Sequence, residues 1–201
     1  MYESKRGSLP MVQGTSLFKT QGASTPEEVE HMRNVPYVSA IGSIMYKMVC
    51  TRPDVAFALS VTSRYQSNRG ESHWTAVKNI LKYFRRTKDA FLVYGGKEEL
   101  SIVGYTDDSF QTDRDGFKSQ AGIKNPIPLF CDNNGEIAQA KEPRSHQKTK
   151  HIVRRYHIIR EIIARGDVEI CKIGTDDNIA DRLTKALGKP KHESHTWSMG
   201  I

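Results

Sequence analysis

Ile127-Pro128-Leu129-Phe130-Cys131-Asp132-Asn133-Asn134 is the stretch that decides the fold. Five apolar residues too few for a helix run into an aspartate and two asparagines, the mark of a short buried strand ended by turn formers. A short helix over 133–142 follows, so strand and helix make one α/β step. Upstream, Leu100 to Thr106 ends at Asp107, and Ala90 to Tyr94 with Gly95-Gly96-Lys97 predicts the other arm of a hairpin. Downstream, 149–165 reads as a long helix stopped by Gly166. Val168 to Ile173 is a strand, and Asn178 is placed to cap a last helix through Leu187. Residues 88–187 therefore read as an α/β module, and 188–201 as a flexible tail.

Residues 1–87 have another character. Thr25-Pro26-Glu27-Glu28 is a helix start, with a capping hydroxyl, a proline at the first helical position and carboxylates at the positive end of the dipole. Three longer helices follow. Tyr37 to Cys50 places Val38, Ile41, Met45 and Met48 on one face. Pro53 to Gln66 loosely aligns Val55, Leu59, Thr62 and Tyr65. Ser72 to Arg86 spaces Trp74, Val77, Leu81 and Phe84 as a buried stripe, opposite Lys78, Lys82, Arg85 and Arg86. This is a packing module without a catalytic constellation.

The 201 residues are 37% apolar and 26% charged, with a formal net charge of +7. The composition is that of a globular chain, and the basic excess suits a polyanionic partner. No run approaches the length of a membrane span, and the first residues have no signal-peptide core. Cys50, Cys131 and Cys171 are odd in number and widely spaced, which predicts a reducing compartment, cytoplasm or nucleus, and no disulfide frame.

Two groups of side chains carry possible chemistry. Asp107 and Asp132 end strands, and Asp181 lies one turn into the last predicted helix. Acids at the carboxyl ends of parallel strands converge on one edge, where a hard cation such as magnesium (Mg2+) relieves their repulsion. Two such ions can direct phosphodiester hydrolysis. Aspartates after strands are also ordinary caps and turn formers, so the residues alone leave both readings open. The second group is basic: Lys141, Arg144, Lys148, Lys150, Arg154, Arg155 and Arg160 suit a nucleic-acid backbone or a solvated helix face. His151 and His157, six apart, do not share a helix face, and His192 with His195 lacks further ligands nearby.

Several segments in order carry a resemblance. Val35-Pro36-Tyr37-Val38-Ser39-Ala40-Ile41-Gly42-Ser43-Ile44-Met45-Tyr46, Thr51-Arg52-Pro53-Asp54-Val55-Ala56-Phe57-Ala58 and His73-Trp74-Thr75-Ala76-Val77-Lys78-Asn79-Ile80-Leu81-Lys82-Tyr83 are similar to the end of copia-type retrotransposon reverse transcriptases. Gly104-Tyr105-Thr106-Asp107 and Lys118-Ser119-Gln120-Ala121-Gly122 resemble the start of the attached ribonuclease H. Cys131-Asp132-Asn133-Asn134, Lys150-His151-Ile152 with Arg155-Tyr156-His157, and Ile179-Ala180-Asp181-Arg182-Leu183-Thr184-Lys185 resemble its C-terminal half. Tyr105-Thr106-Asp107-Asp108 also fits a polymerase Tyr-x-Asp-Asp pattern, but its context after the Trp74 helix does not.

The resemblance implies an α+β protein: a helical reverse transcriptase end at 1–87, then a truncated ribonuclease H-like α/β module. It implies that Asp107, Asp132 and Asp181 are three of four metal-binding carboxylates for cleaving RNA in RNA–DNA hybrids with Mg2+. The fourth, a glutamate on a helix after the third strand, has no counterpart. After Ala121-Gly122 the chain passes directly to Ile123-Lys124-Asn125-Pro126, and two strands and a helix, roughly fifty residues on the family's usual layout, are absent. The expectation is a Pol remnant without activity, with Lys148, Lys150, Arg154, Arg155 and Arg160 available to nucleic acid and the rest of the polyprotein as its partner in intact relatives. The alternatives are a non-catalytic nucleic-acid-binding module, or residual hydrolysis with Asp108, Asp113 or Asp115 as a substitute carboxylate.

Overall fold

A computed structural model of the chain describes residues 7–93, 102–106, 126–141 and 160–201. They combine helices with a small parallel sheet and divide into two compact units, 1–95 with 181–201, and 96–180.

The first unit is helical. Helix α1 (Pro26–Arg33) begins as its sequence predicts: Thr25 Oγ1 accepts from the Glu28 N–H, while the Glu28 carboxylate accepts from the N–H groups of Ser24 and Thr25. Helices α2 (Tyr37–Cys50), α3 (Ala56–Ser63) and α4 (Glu71–Arg86) pack round Tyr37, Ile41, Ile44, Val55, Leu59, Val77, Ile80 and Tyr83. Buried side chains of this size contribute about 1.5–3 kcal/mol each, so this core supplies most of the unit's stability.

The faces differ in detail from the predicted ones. On α2 the buried residues are Tyr37, Ile41 and Ile44, while Val38 and Met45 are exposed. On α4 the stripe lies one position round, at His73, Ala76, Val77, Ile80 and Tyr83, with Trp74, Leu81 and Phe84 at its margin. Pro53–Val55 is a 3₁₀ turn and α3 ends at Ser63, short of Gln66. Ala90 to Val93 forms no hairpin arm; the Leu92 N–H instead donates to the Thr51 carbonyl. Residues 94–101 lie outside the described residues.

In the second unit β1 (Gly104–Thr106), β2 (Ile127–Cys131) and β3 (Val168–Lys172) form a parallel sheet in that order. Helix α5 (Asn134–Lys141) follows β2, with Asn133 Oδ1 accepting from the Gly135 N–H. Residues 160–164 are the described end of a helix, α6. Gly166 ends it at φ +78°, a left-handed position glycine takes without the penalty of a Cβ. The core is small: Cys131, Ala140 and Ile170, lined by Leu129, Ile137 and Ile163.

The chain then returns to the helical unit. Helix α7 spans only Asp181–Thr184, shorter than the predicted helix to Leu187. The region expected to be a flexible tail is helix α8 (Lys189–Ser198), with His192 and His195 buried. Apart from Pro190 and the exposed Trp197 its sequence is polar, so no apolar stripe announces it; it is held by polar contacts to distant residues. Among the described residues no helix is long and apolar enough to cross a membrane.

Candidate functional site

Parallel pairing sets Thr106 beside Cys131, so β1 and β2 finish at the same sheet edge. Asp132 follows β2 directly. Its Oδ1 accepts a hydrogen bond from the Asn178 side-chain amide at 3.1 Å, and the same nitrogen donates to the Thr106 carbonyl at 2.9 Å. Asn178 Oδ1 accepts from the Ala180 N–H at 3.2 Å, and the whole residue is buried. Asn178 thus joins two strand ends, a role that capping a helix does not reveal. Asp132 itself is half-buried.

Asp181 is placed differently. It belongs to the helical unit, and its side chain is only 3% exposed. Lys185 reaches Oδ1 at 3.1 Å and Lys191 reaches Oδ2 at 2.9 Å. Burial pushes this carboxyl up, but the hydrogen bonds from Lys191 and Lys185 outweigh it and hold the group below its ordinary range. Both oxygens already face a cation, so Asp181 as it stands does not fit a metal-ligand position.

Asp107 lies outside the described residues, as do Asp108, Asp113, Asp115, His151 and His157. So do Arg144, Lys148, Lys150, Arg154 and Arg155; of that basic group Lys141, exposed at the end of α5, and Arg160, half-buried in the described part of α6, are described. No group of three His, Cys, Asp or Glu side chains able to hold a metal ion occurs among the described residues.

The sequence reading missed a buried polar cluster in the helical unit. Arg52 donates to both oxygens of Asp54, from Nε at 2.9 Å and Nη2 at 2.7 Å. It also donates to the Thr87 carbonyl and hydroxyl. Tyr83 O–H donates to Asp54 Oδ2 at 2.7 Å, and Arg182 of α7 comes within 3.7 Å of the same oxygen. Arg182 also donates to His192 Nε2 at 3.1 Å, while its Nε and Nη1 have no hydrogen-bond partner. Arg-Pro-Asp ahead of the apolar run from Val55 was the one available signal.

Charge chemistry follows from this geometry. Burial raises the Asp54 carboxyl, but Arg52 and Tyr83 more than offset it and hold the group low. Burial lowers the Arg52 guanidinium, and Asp54 more than offsets that, so it rises. Burial lowers Arg182, with Asp54 only partly compensating. Asp54 is thus chiefly the partner of Arg52, in keeping with two short bonds against one longer contact. Tyr83 is pushed up to about 12 by burial and by Asp54. His192 is pushed down to about 4 by burial and by Arg182.

No protein-family model matches the chain, and no solved structure matches it significantly. Seven curated relatives do, among them the following. It is 33% identical to the retrovirus-related Pol polyprotein from transposon TNT 1-94 of Nicotiana tabacum, over 96% of this chain and 18% of that protein. It is 24% identical to the Pol polyprotein from transposon RE2 of Arabidopsis thaliana, over all of this chain and 17% of the relative. That alignment covers 253 residues against 201 here, so 52 of its positions have no counterpart in this chain. Over 57% of its length the chain is also 41% identical to secreted RxLR effector protein 161 of Plasmopara viticola, covering 78% of it. The chain spans under a fifth of the length of the Pol relatives. It belongs to the retrotransposon Pol polyproteins, matching one segment of them.

Proposed function

We propose that the chain is a copia-type Pol remnant whose ribonuclease H-like module does not hydrolyse RNA. The observation that carries this reading is the state of Asp181, whose two oxygens are closed by Lys185 and Lys191. Metal-assisted hydrolysis requires carboxylates free to hold cations at fixed spacing. Asp132 has one oxygen bound to Asn178, and Asp181 is neutralised by ammonium groups within the other unit. Asp132 and Asp181 so placed do not fit the donor set the family uses.

The 52 unmatched positions of the longer alignment agree in number with the roughly fifty residues that the resemblance implies are missing; on this reading the gap falls at Gly122-Ile123 and removes the fourth carboxylate. The ancestral activity is cleavage of RNA in RNA–DNA hybrids with Mg2+. What survives is salt-sensitive attraction to such a polyanion, supported by the net charge of +7.

The test is cleavage of a labelled RNA–DNA hybrid by the whole chain with Mg2+ or Mn2+, beside Asp132→Asn. No cleavage by either protein is expected. Cleavage by the parent that disappears in Asp132→Asn would overturn the reading, because an assembled carboxylate site would then exist.

A further inference from the structure

We propose that a cleft of about 280 Å³ in the helical unit, lined by Lys47, Thr51, Arg52, Phe84, Lys88 and Phe91, binds a phosphate-bearing ligand. This goes beyond the carboxylate reading and does not depend on it.

The first observation is the lining. It carries three cations, a hydroxyl and two aromatic rings, and no carboxylate. Lys47 Nζ stands 5.7 Å from the centre of the Phe84 ring and Arg52 Cζ 4.9 Å from it. Lys47 and Lys88 are exposed, and neither is paired with a carboxylate among the described residues. Asp89, the chain neighbour of Lys88, is not part of the lining.

The second observation lies behind the wall. Arg52 and Arg182 share the single negative charge of Asp54, in a cluster whose other members, Tyr83 and His192, are neutral at pH 7. The buried group therefore has one positive charge in excess, in surroundings where its field is screened weakly. Arg52 supplies that field at the cleft, while most of its N–H groups are engaged by Asp54 and Thr87. Lys47 and Lys88 are left as the groups that contact the anion, and Phe91, more than half exposed, offers a face to an attached ring. The volume suits a small ligand, inorganic phosphate or a mononucleotide.

Cations just before and after the ends of α2 and α4 also complement the negative ends of the helix dipoles. Were that their whole role, no ligand would bind. Calorimetric titration of the whole chain with inorganic phosphate and with AMP separates the two. Saturable binding is expected, weakened about tenfold or more in Lys47→Gln/Lys88→Gln, at two lost charge-assisted contacts. The double variant keeps the parent's thermal midpoint, since both lysines are exposed. Tighter binding of AMP assigns the ligand as a nucleotide, and equal binding assigns it as the free anion. Absence of saturable binding by the parent, or undiminished binding by the variant, would overturn the proposal.

Discussion

The Asn178 amide holds the Asp132 carboxylate and the Thr106 carbonyl with one nitrogen, at 3.1 and 2.9 Å, and so ties the ends of β2 and β1 together. Three hydrogen bonds pass through this one buried side chain. Asn178→Ala would remove all three and leave their partners wanting, at a cost of about 1–3 kcal/mol. Asp132→Asn keeps an acceptor oxygen in place and should cost less than about 1 kcal/mol. Hydrogen exchange at the amides of Tyr105 and Phe130 reads the difference. Equal protection in both variants would mean that Asn178 is not what joins the strands.

The strand that opened the sequence reading was legible because its apolar run stands alone between turn formers. Thr25, Pro26 and Gly166 were legible for a similar reason: each has a local backbone role that needs no distant partner. The α4 stripe was misread because His73 and Tyr83 carry polar tips yet bury their rings. The tips find partners far along the chain, His73 Nε2 donating to the Phe18 carbonyl and Tyr83 O–H to Asp54. Helix α8 and the Asp54 cluster are beyond local pattern altogether, since Arg182 meets a residue more than a hundred positions away. Among the candidate site residues the sequence marked Asp132 and Asp181 but could not show Asn178, Lys185 and Lys191 closing on them.

The Asp54 cluster gives two substitutions unequal costs. Asp54→Ala leaves two buried guanidiniums without a counter-ion and should destabilise the chain by about 3–5 kcal/mol. Arg182→Met removes a buried cation that already has two nitrogens, Nε and Nη1, without hydrogen-bond partners, and leaves the Arg52–Asp54 pair intact. Its expected cost is below about 1 kcal/mol, because a well-packed apolar residue in place of a buried ion is often neutral or stabilising. Urea denaturation of both variants settles the ranking; comparable losses would show that Arg182 is as necessary as Asp54.

Two glycines should respond oppositely to alanine. A methyl group on Gly70 would fall on the Gln21 carbonyl oxygen, where backbone meets backbone and neither side yields easily. Gly42 lies within α2 with nothing near the position a methyl would take, and is exposed. Gly42→Ala should stabilise the helix by about 0.5–1 kcal/mol, while Gly70→Ala should lower the thermal midpoint by several degrees. A neutral Gly70→Ala would mean that the Gln21 carbonyl is not held against Gly70.

His192 makes acid stability a direct test of the α8 docking. Arg182, Tyr83, Asp54 and Arg52 surround it, and its pKa is held at about 4 against an ordinary value of 6.5. The unfolded chain therefore takes up a proton at higher pH than the folded chain. The stabilisation from His192 is complete above 6.5 and is lost as pH falls from there toward 4, by about 3 kcal/mol in total. Asp54 and Asp181, held below their ordinary 3.8, add their losses only at still lower pH. Unfolding free energies measured between pH 7 and 4 should fall in the parent and flatten in His192→Gln. A slope unchanged by that substitution would place the titrating group elsewhere, and α8 would lose its claim to be anchored through a neutral imidazole beside Arg182.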